Sequence, residues 1–212
     1  MKVLLFNGSP HKNGCTYTAL EEIAKTLKEE GVESEIYQIG IKSITPCRGC
    51  YACSKIGKCV IDDDDVNNFV QKCKEFDGFI FGSPVHYGSA CGGITAFLDR
   101  AFFVAFSSGQ GDVFRHKPGS AIASARRAGT TAALDQLNKY FAITEMPMIS
   151  GRYWNMVHGA TADEVKQDLE GMQNMRVLAR NMAWFLKLKQ AGEKAGIELP
   201  KREETVYTNF IR

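Results

Sequence analysis

Residues Gly8 to Thr16 read Gly-Ser-Pro-His-Lys-Asn-Gly-Cys-Thr, and this stretch constrains the fold more than any other. It follows the apolar run Val3-Leu4-Leu5-Phe6 and precedes a helical pattern that begins near Tyr17. A strand that ends in a glycine- and hydroxyl-rich loop opening a helix makes an oxyanion site. The first helical N–H groups have no intrahelical partner, and the helix dipole favours negative charge there. Ser9 and Thr16 add hydroxyls, and Gly8 and Gly14 let the backbone curl close to an anion. One such loop alone is equally an ordinary β-to-α turn, so the rest of the chain has to decide.

Two further stretches repeat the pattern. Phe79-Ile80-Phe81 is short and β-prone, and runs into Gly82-Ser83-Pro84-Val85-His86-Tyr87-Gly88. Gly119 to Ser124 reads as a buried strand, followed by the polar loop Ala125-Arg126-Arg127-Ala128-Gly129-Thr130. Between these lie helical periodicities at 17–30, 92–104 and 130–141, a strand at 33–39 placed near a sheet edge, and a helix opening at Asp62 to Asp65. The glycine- and serine-bearing loop with Ser107, Ser108, Gly109 and Gly111 separates helix 92–104 from the third strand. A last strand at 146–149, an aromatic loop with Tyr153 and Trp154, and a long helix at 162–191, interrupted near Gly171, complete the pattern. Five strands alternating with helices predict a doubly wound α/β sheet whose strands are parallel. Ligands of such sheets sit at the C-terminal strand ends, where all three polar loops fall.

The expected organisation is one domain over 1–212, with a cysteine-rich insertion at 44–62 and a tail from 193 that packs over the surface or onto a second subunit. A net charge of +2 gives no argument for nucleic acid or an anionic membrane. The apolar run Ala101 to Phe106 is too short to span a bilayer. A cytoplasmic location is the expectation, and there seven cysteines serve as thiols or metal ligands rather than disulfides.

The first loop is not a Walker A sequence, since Cys15 stands where its lysine would follow Gly14, and it is not Gly-x-Gly-x-x-Gly. Hydroxyls and backbone amides without a required lysine suit a mononucleotide phosphate such as that of FMN. Pro84 to Gly88 offers an apolar surface and bare N–H groups for an isoalloxazine. Gly8-Ser9-Pro10 with Asn13-Gly14-Cys15-Thr16, then Gly82 to Gly88, then Ala96-Phe97-Leu98-Asp99-Arg100 resemble the flavodoxin-like NAD(P)H-dependent FMN reductases over about the first 160 residues. The resemblance implies a flavodoxin-like three-layer sandwich, five parallel strands in the order 2-1-3-4-5, non-covalent FMN, and a homodimer or homotetramer. It assigns the phosphate to Ser9, Asn13, Gly14, Cys15 and Thr16, and the flavin to Pro84, Val85, His86, Tyr87 and Gly88. Ser124, Arg126, Arg127 and Gly129 form the third flavin loop. The arginine pair departs from the glycine-rich loop common there: it neutralises a flavin or nicotinamide phosphate, or is simply exposed. His86 touches flavin or substrate, or packs in its loop. Adjacent helix residues do not face one another, so Asp99 and Arg100 each need a separate partner.

Cys47-x2-Cys50-x2-Cys53-x5-Cys59 is the most specific remaining signal. Three closely spaced cysteines with a fourth nearby match a [4Fe–4S] loop, whereas zinc sites usually pair two knuckles across a longer loop. Zinc and four unligated thiols remain as alternatives. The pattern resembles the iron–sulfur flavoproteins within the same group, which implies Cys47, Cys50, Cys53 and Cys59 as cluster ligands. It also implies electron exchange with FMN, a ferredoxin or NAD(P)H donor and a small acceptor, without an essential side-chain acid or base. A cluster-free reductase and a non-catalytic redox sensor or carrier are the competing readings. Cys15, Cys73 and Cys91 are expected to pack in loop or helix.

Overall fold

In the computed structural model, which describes residues 1–109 and 113–208, strand β1 (Lys2–Asn7) is buried on both faces. Its side chains alternate between two apolar layers, Val3 and Leu5 in one, Leu4 and Phe6 in the other. The same alternation runs along β3 (Gly78–His86) and β5 (Gly119–Ala125): Ile80 and Ile122 join the first layer, Phe79, Phe81, Ala121 and Ala123 the second. Helices α1 (Cys15–Glu29) and α7 (Leu169–Lys194) cover the first layer through Leu20, Ile23, Leu178 and Met182. Helices α3 (Val66–Lys72), α4 (Gly92–Ser107) and α5 (Thr130–Ile143) cover the second. That layer is rich in aromatic rings: Phe6 lies 5.0 Å from Phe97 and 5.2 Å from Phe69, geometry that adds to the area these rings bury.

With β2 (Glu33–Gln38) at one edge and β6 (Met156–His158) at the other, the strands run β2-β1-β3-β5-β6, all parallel. The five parallel strands therefore follow the expected order 2-1-3-4-5. A sixth, the two-residue β4 (Ser89–Ala90), pairs antiparallel with the end of β3. The order in which strands are added reverses between β1 and β3, which puts their C-terminal ends at the switch point.

Three expectations change. The expected strand at 146–149 is absent as a strand: Met148 makes only an isolated bridge to Gly119, and the fifth parallel strand is β6, within the stretch taken as an aromatic loop. Residues 151–155 bulge away because buried Asn174 holds them, accepting from the N–H groups of Arg152 (2.8 Å) and Tyr153 (3.1 Å) and donating to Trp154 O (2.9 Å). The long C-terminal helix breaks at Asp168, three residues before Gly171, giving α6 (Ala162–Gln167) and α7, and the Asp168 carboxylate caps the N–H of Gly171 at 2.9 Å. The tail is exposed from 193 to 208 and does not pack over the surface of its own chain, which leaves a second subunit as its expected packing partner. Gly111 of the expected serine-glycine loop, and residues 209–212 of the tail, lie outside the described residues.

Candidate functional site

At the switch point the first loop crosses the end of β3 at close range. The N–H of Gly8 donates to Gly82 O at 2.8 Å, and a Cβ on Gly8 would sit 2.6 Å from Ile94 Cδ1. Only glycine allows that approach. Buried Asn7 anchors the loop from beneath: its Oδ1 accepts from Ser9 N (3.2 Å) and its Nδ2 donates to Gln38 Oε1 (2.6 Å), while Gln38 Nε2 donates to Ser9 O (2.6 Å). Sequence reasoning missed Asn7 and Gln38. The available signal was a polar residue closing an otherwise apolar strand. Gly14 is the N-cap of α1 and supplies no side-chain cap, and the first turn carries no acid. The helix N-terminus thus keeps its positive end open.

The loop lines a cleft of about 780 Å³, whose other walls come from Pro84 and Val85, from Ser124, Ala125 and Arg126, and from Gly159 to Ala162. Ser9, Asn13, Gly14, Cys15 and Thr16 all line it. Thr16 is buried, and its Oγ1 lies 2.8 Å from Ser124 Oγ, so this hydroxyl pair ties the start of α1 to the end of β5. Cys15 Sγ donates to Gly159 O at 3.5 Å, and burial pushes its thiol up.

Of the second stretch, Pro84 and Val85 line the cleft, while His86, Tyr87 and Gly88 do not. Residues 84–86 belong to β3 rather than to a loop, and Tyr87 (φ 50°) and Gly88 (φ 78°) form an exposed turn into β4. Positive φ at both central positions is what a tight hairpin requires. Arg126 lines the cleft; Arg127 is exposed and does not. Gly129 (φ 94°) presses the third loop onto the hairpin, where a Cβ would stand 2.7 Å from Gly88 Cα and from Val85 Cγ1.

The fourth wall, Gly159-Ala160-Thr161-Ala162, escaped sequence reasoning because β6 did. Its signal was Thr161-x-x-Glu164, a capping box. Thr161 Oγ1 accepts from Glu164 N at 3.2 Å, and Glu164 Oε2 accepts from Ala160 N at 2.7 Å. The cleft lining holds Lys12 and Arg126 and no carboxylate. An uncapped helix N-terminus, the Ser9 hydroxyl, two cations and the apolar Pro84 and Val85 fit a phosphorylated flavin.

The cysteine segment lies between β2 and α3. Cys53 opens the short helix α2 (Cys53–Ile56) and is buried, Cys59 is half-buried, and Cys47 and Cys50 are exposed. All four line one small apolar cavity together with Phe103, Val104 and Arg100. Tyr51 (φ 56°), Gly49 (φ 62°) and Gly57 (φ 75°) supply the bends. Among the described residues, no three His, Cys, Asp or Glu side chains are gathered as a metal ion would need. The four cysteines line a shared space without being gathered into a tetrahedral single-ion arrangement. Arg100 and Asp99 do have separate partners, Asp64 and Tyr140 respectively. Asp64 also accepts from Val66 N at 3.2 Å, so the acidic run caps α3 and pairs with arginine. Cys73 and Cys91 pack in the core, as expected.

Fold and cleft together define a flavodoxin-like flavoprotein. RosB, in the crystal structure with the bound intermediate 8-demethyl-8-formylriboflavin-5'-phosphate, superposes with a TM-score of 0.69 at 14% identity, over 100% of this chain and 94% of that one. The chain belongs to the NADPH-dependent FMN reductase family, which it matches over residues 1–161. It is thus a flavin-dependent oxidoreductase with FMN as its cofactor. It is also similar to an iron-sulfur flavoprotein of Methanocaldococcus jannaschii, 32% identical over 195 residues, which covers 89% of this chain and 98% of that protein. An iron-sulfur flavoprotein of Archaeoglobus fulgidus is 30% identical over 188 residues, covering 85% and 94%. No helix among the described residues is long and apolar enough to cross a membrane.

Proposed function

We propose that this oxidoreductase holds a [4Fe–4S] cluster on Cys47, Cys50, Cys53 and Cys59 beside its FMN, taking electrons from ferredoxin or NAD(P)H and passing them to a small acceptor such as a quinone, flavin, oxygen species or nitro compound. The observation that carries the reading is that four cysteines of one short segment all line a single small apolar cavity. Two relatives at 30–32% identity bearing the name iron-sulfur flavoprotein support it. When bound, FMN supplies the interconversion of one- and two-electron transfer, and the cluster supplies one-electron transfer.

The chain's own part is binding and orientation. Ser9, Asn13, Gly14, Cys15 and Thr16 hold the phosphate, chiefly through backbone N–H groups at the start of α1. Pro84 and Val85 flank the flavin ring, and His86, Tyr87 and Gly88 form the exposed hairpin turn beyond them. Ser124 and Arg126 close the third side, with Arg126 available to anionic groups, while Gly129 seats this loop against the hairpin and Arg127 stays outside the cleft. Phe103 and Val104 give the cavity lined by the four cysteines an apolar wall. No side chain is assigned a proton transfer. We place the protein in the cytoplasm, as a homodimer or homotetramer.

The test is an anaerobic absorption spectrum with iron, acid-labile sulfide and flavin quantitation. About four irons, four sulfides and one FMN per chain is the expected result. FMN with iron and sulfide near zero would instead identify a cluster-free NAD(P)H-dependent reductase. No flavin at all would overturn the whole reading.

A further inference from the structure

Among the described residues, Arg100 has the largest fully buried side chain, with a relative exposure of 1%. A buried guanidinium costs several kcal/mol unless its donors are met, and here every partner comes from the cysteine segment or the turn just after it. Nε donates to Cys59 Sγ at 3.3 Å, Nη1 to Thr45 O at 3.2 Å and to the Asp64 carboxylate, and Nη2 to Ile61 O at 2.7 Å. Thr45 precedes the first cysteine of the set by two residues and Ile61 follows the last by two. The guanidinium therefore closes the segment at both ends while aiming one charged N–H at a thiol sulfur. Its own position is fixed by α4, which begins at Gly92 directly after the hairpin that borders the flavin cleft.

We infer that Arg100 is a positioning and redox-tuning residue: it clamps the cysteine segment, and its N–H···Sγ bond to Cys59 favours the reduced state of the cluster. The inference rests on the cluster reading above. Adding an electron to a thiolate-bound cluster adds negative charge, and a positive donor on a ligand sulfur stabilises the more negative state, raising the reduction potential. Asp64 moderates the effect by neutralising part of the guanidinium charge. No role in proton transfer is involved, and Arg100 touches neither flavin nor substrate.

The test is a redox titration of the cluster, followed by low-temperature EPR, in wild-type holoprotein, Arg100→Lys and Asp64→Asn, with FMN content as the measure of folding. In Arg100→Lys the reduction equilibrium should fall about tenfold, about 59 mV more negative for a one-electron couple. Asp64→Asn, which keeps Nε on Cys59 and removes the counter-charge, should move the potential the opposite way. Arg100→Lys with full FMN but no iron also supports the clamp. Full iron with an unchanged potential in Arg100→Lys overturns the inference. If Arg100→Lys loses FMN as well, Asp64→Asn decides, and a potential that stays put or falls there overturns it. A wild-type protein without iron overturns the cluster reading itself, which the FMN-only spectrum distinguishes.

Discussion

Thr16, in the first turn of α1, and Ser124, near the end of β5, are 108 residues apart and share one buried hydrogen bond at 2.8 Å. Replacing Thr16 by valine keeps the shape but leaves the Ser124 hydroxyl buried without that partner. That should cost about 1–3 kcal/mol and weaken FMN binding, read by thermal unfolding and by flavin fluorescence titration. Unchanged values in both would remove this pair from the site. Glycines separate in the same way. A Cβ at Gly8 would meet Ile94 Cδ1 at 2.6 Å and Gly82 O at 2.8 Å, whereas at Gly93 the nearest atom is 3.7 Å away. Gly8→Ala should therefore destabilise by about 1–3 kcal/mol, and Gly93→Ala, inside α4, should be neutral or stabilise by up to about 1 kcal/mol. Urea midpoints compare the two directly. Ser9, Gly14 and Thr16 were legible because a loop between strand and helix has a local signature. Asn7 and Gln38 were not, because their pairing depends on β1 and β2 lying in register, which no local pattern states.

At the scale of elements, the strands read well where both faces are buried: β1 and the start of β3 hold short unbroken apolar runs, and β5 is built of small buried residues around Ile122. Beta-six failed for a definite reason. Only three residues long, it is positioned by tertiary partners: Asn155 Nδ2 reaches Ser120 Oγ at 3.0 Å and Asn174 pins the bulge before it. Missing it hid the Gly159–Ala162 wall of the cleft. Asn174→Ala should thus cost about 1–3 kcal/mol and alter the fluorescence of Trp154, while leaving α1 and the first loop intact. An unaltered emission spectrum would mean that the bulge does not depend on Asn174. At the other sheet edge, Glu35 on β2 meets Lys72 of α3 at 2.8 Å and Lys2 of β1 at 3.2 Å. Lys72, with help from Lys2, holds the carboxyl below the usual glutamate range. A lowered folded pKa means that its contribution is fully present above the unfolded value, about 4.3, and fades as pH falls below it. Since the group is partly exposed, the loss amounts to at most about 1 kcal/mol. Glu35→Gln should flatten the stability–pH curve below about pH 5 and leave it parallel to wild type at pH 6–8.

For the whole molecule, the question is how far the two sites depend on each other. The two apolar layers are filled by side chains of the sheet and its helices, so the fold does not need a ligand for its core. Yet α4 begins beside the flavin hairpin and carries Arg100 to the cysteine segment eight residues later, about 12 Å along the helix. Loop spacing and cysteine spacing made each site visible in the sequence; their link was hidden, because Asp99-Arg100 gives no hint of which distant carboxylate or thiol it meets. The link is one-sided in energy. The cysteine segment has few elements of its own beyond the four-residue α2, whereas the cleft is walled by four strand ends. Iron chelation under anaerobic, reducing conditions should accordingly speed amide exchange over residues 44–65 while FMN stays bound and the sheet stays protected. Removing FMN should lower the melting temperature by mass action alone, about 2.7 kcal/mol at a ligand concentration 100 times Kd, or about 5–11 °C for a chain of this size. Loss of FMN on chelation, or exchange spreading into β1 and β3, would show instead that the cysteine segment supports the flavin cleft as well as itself.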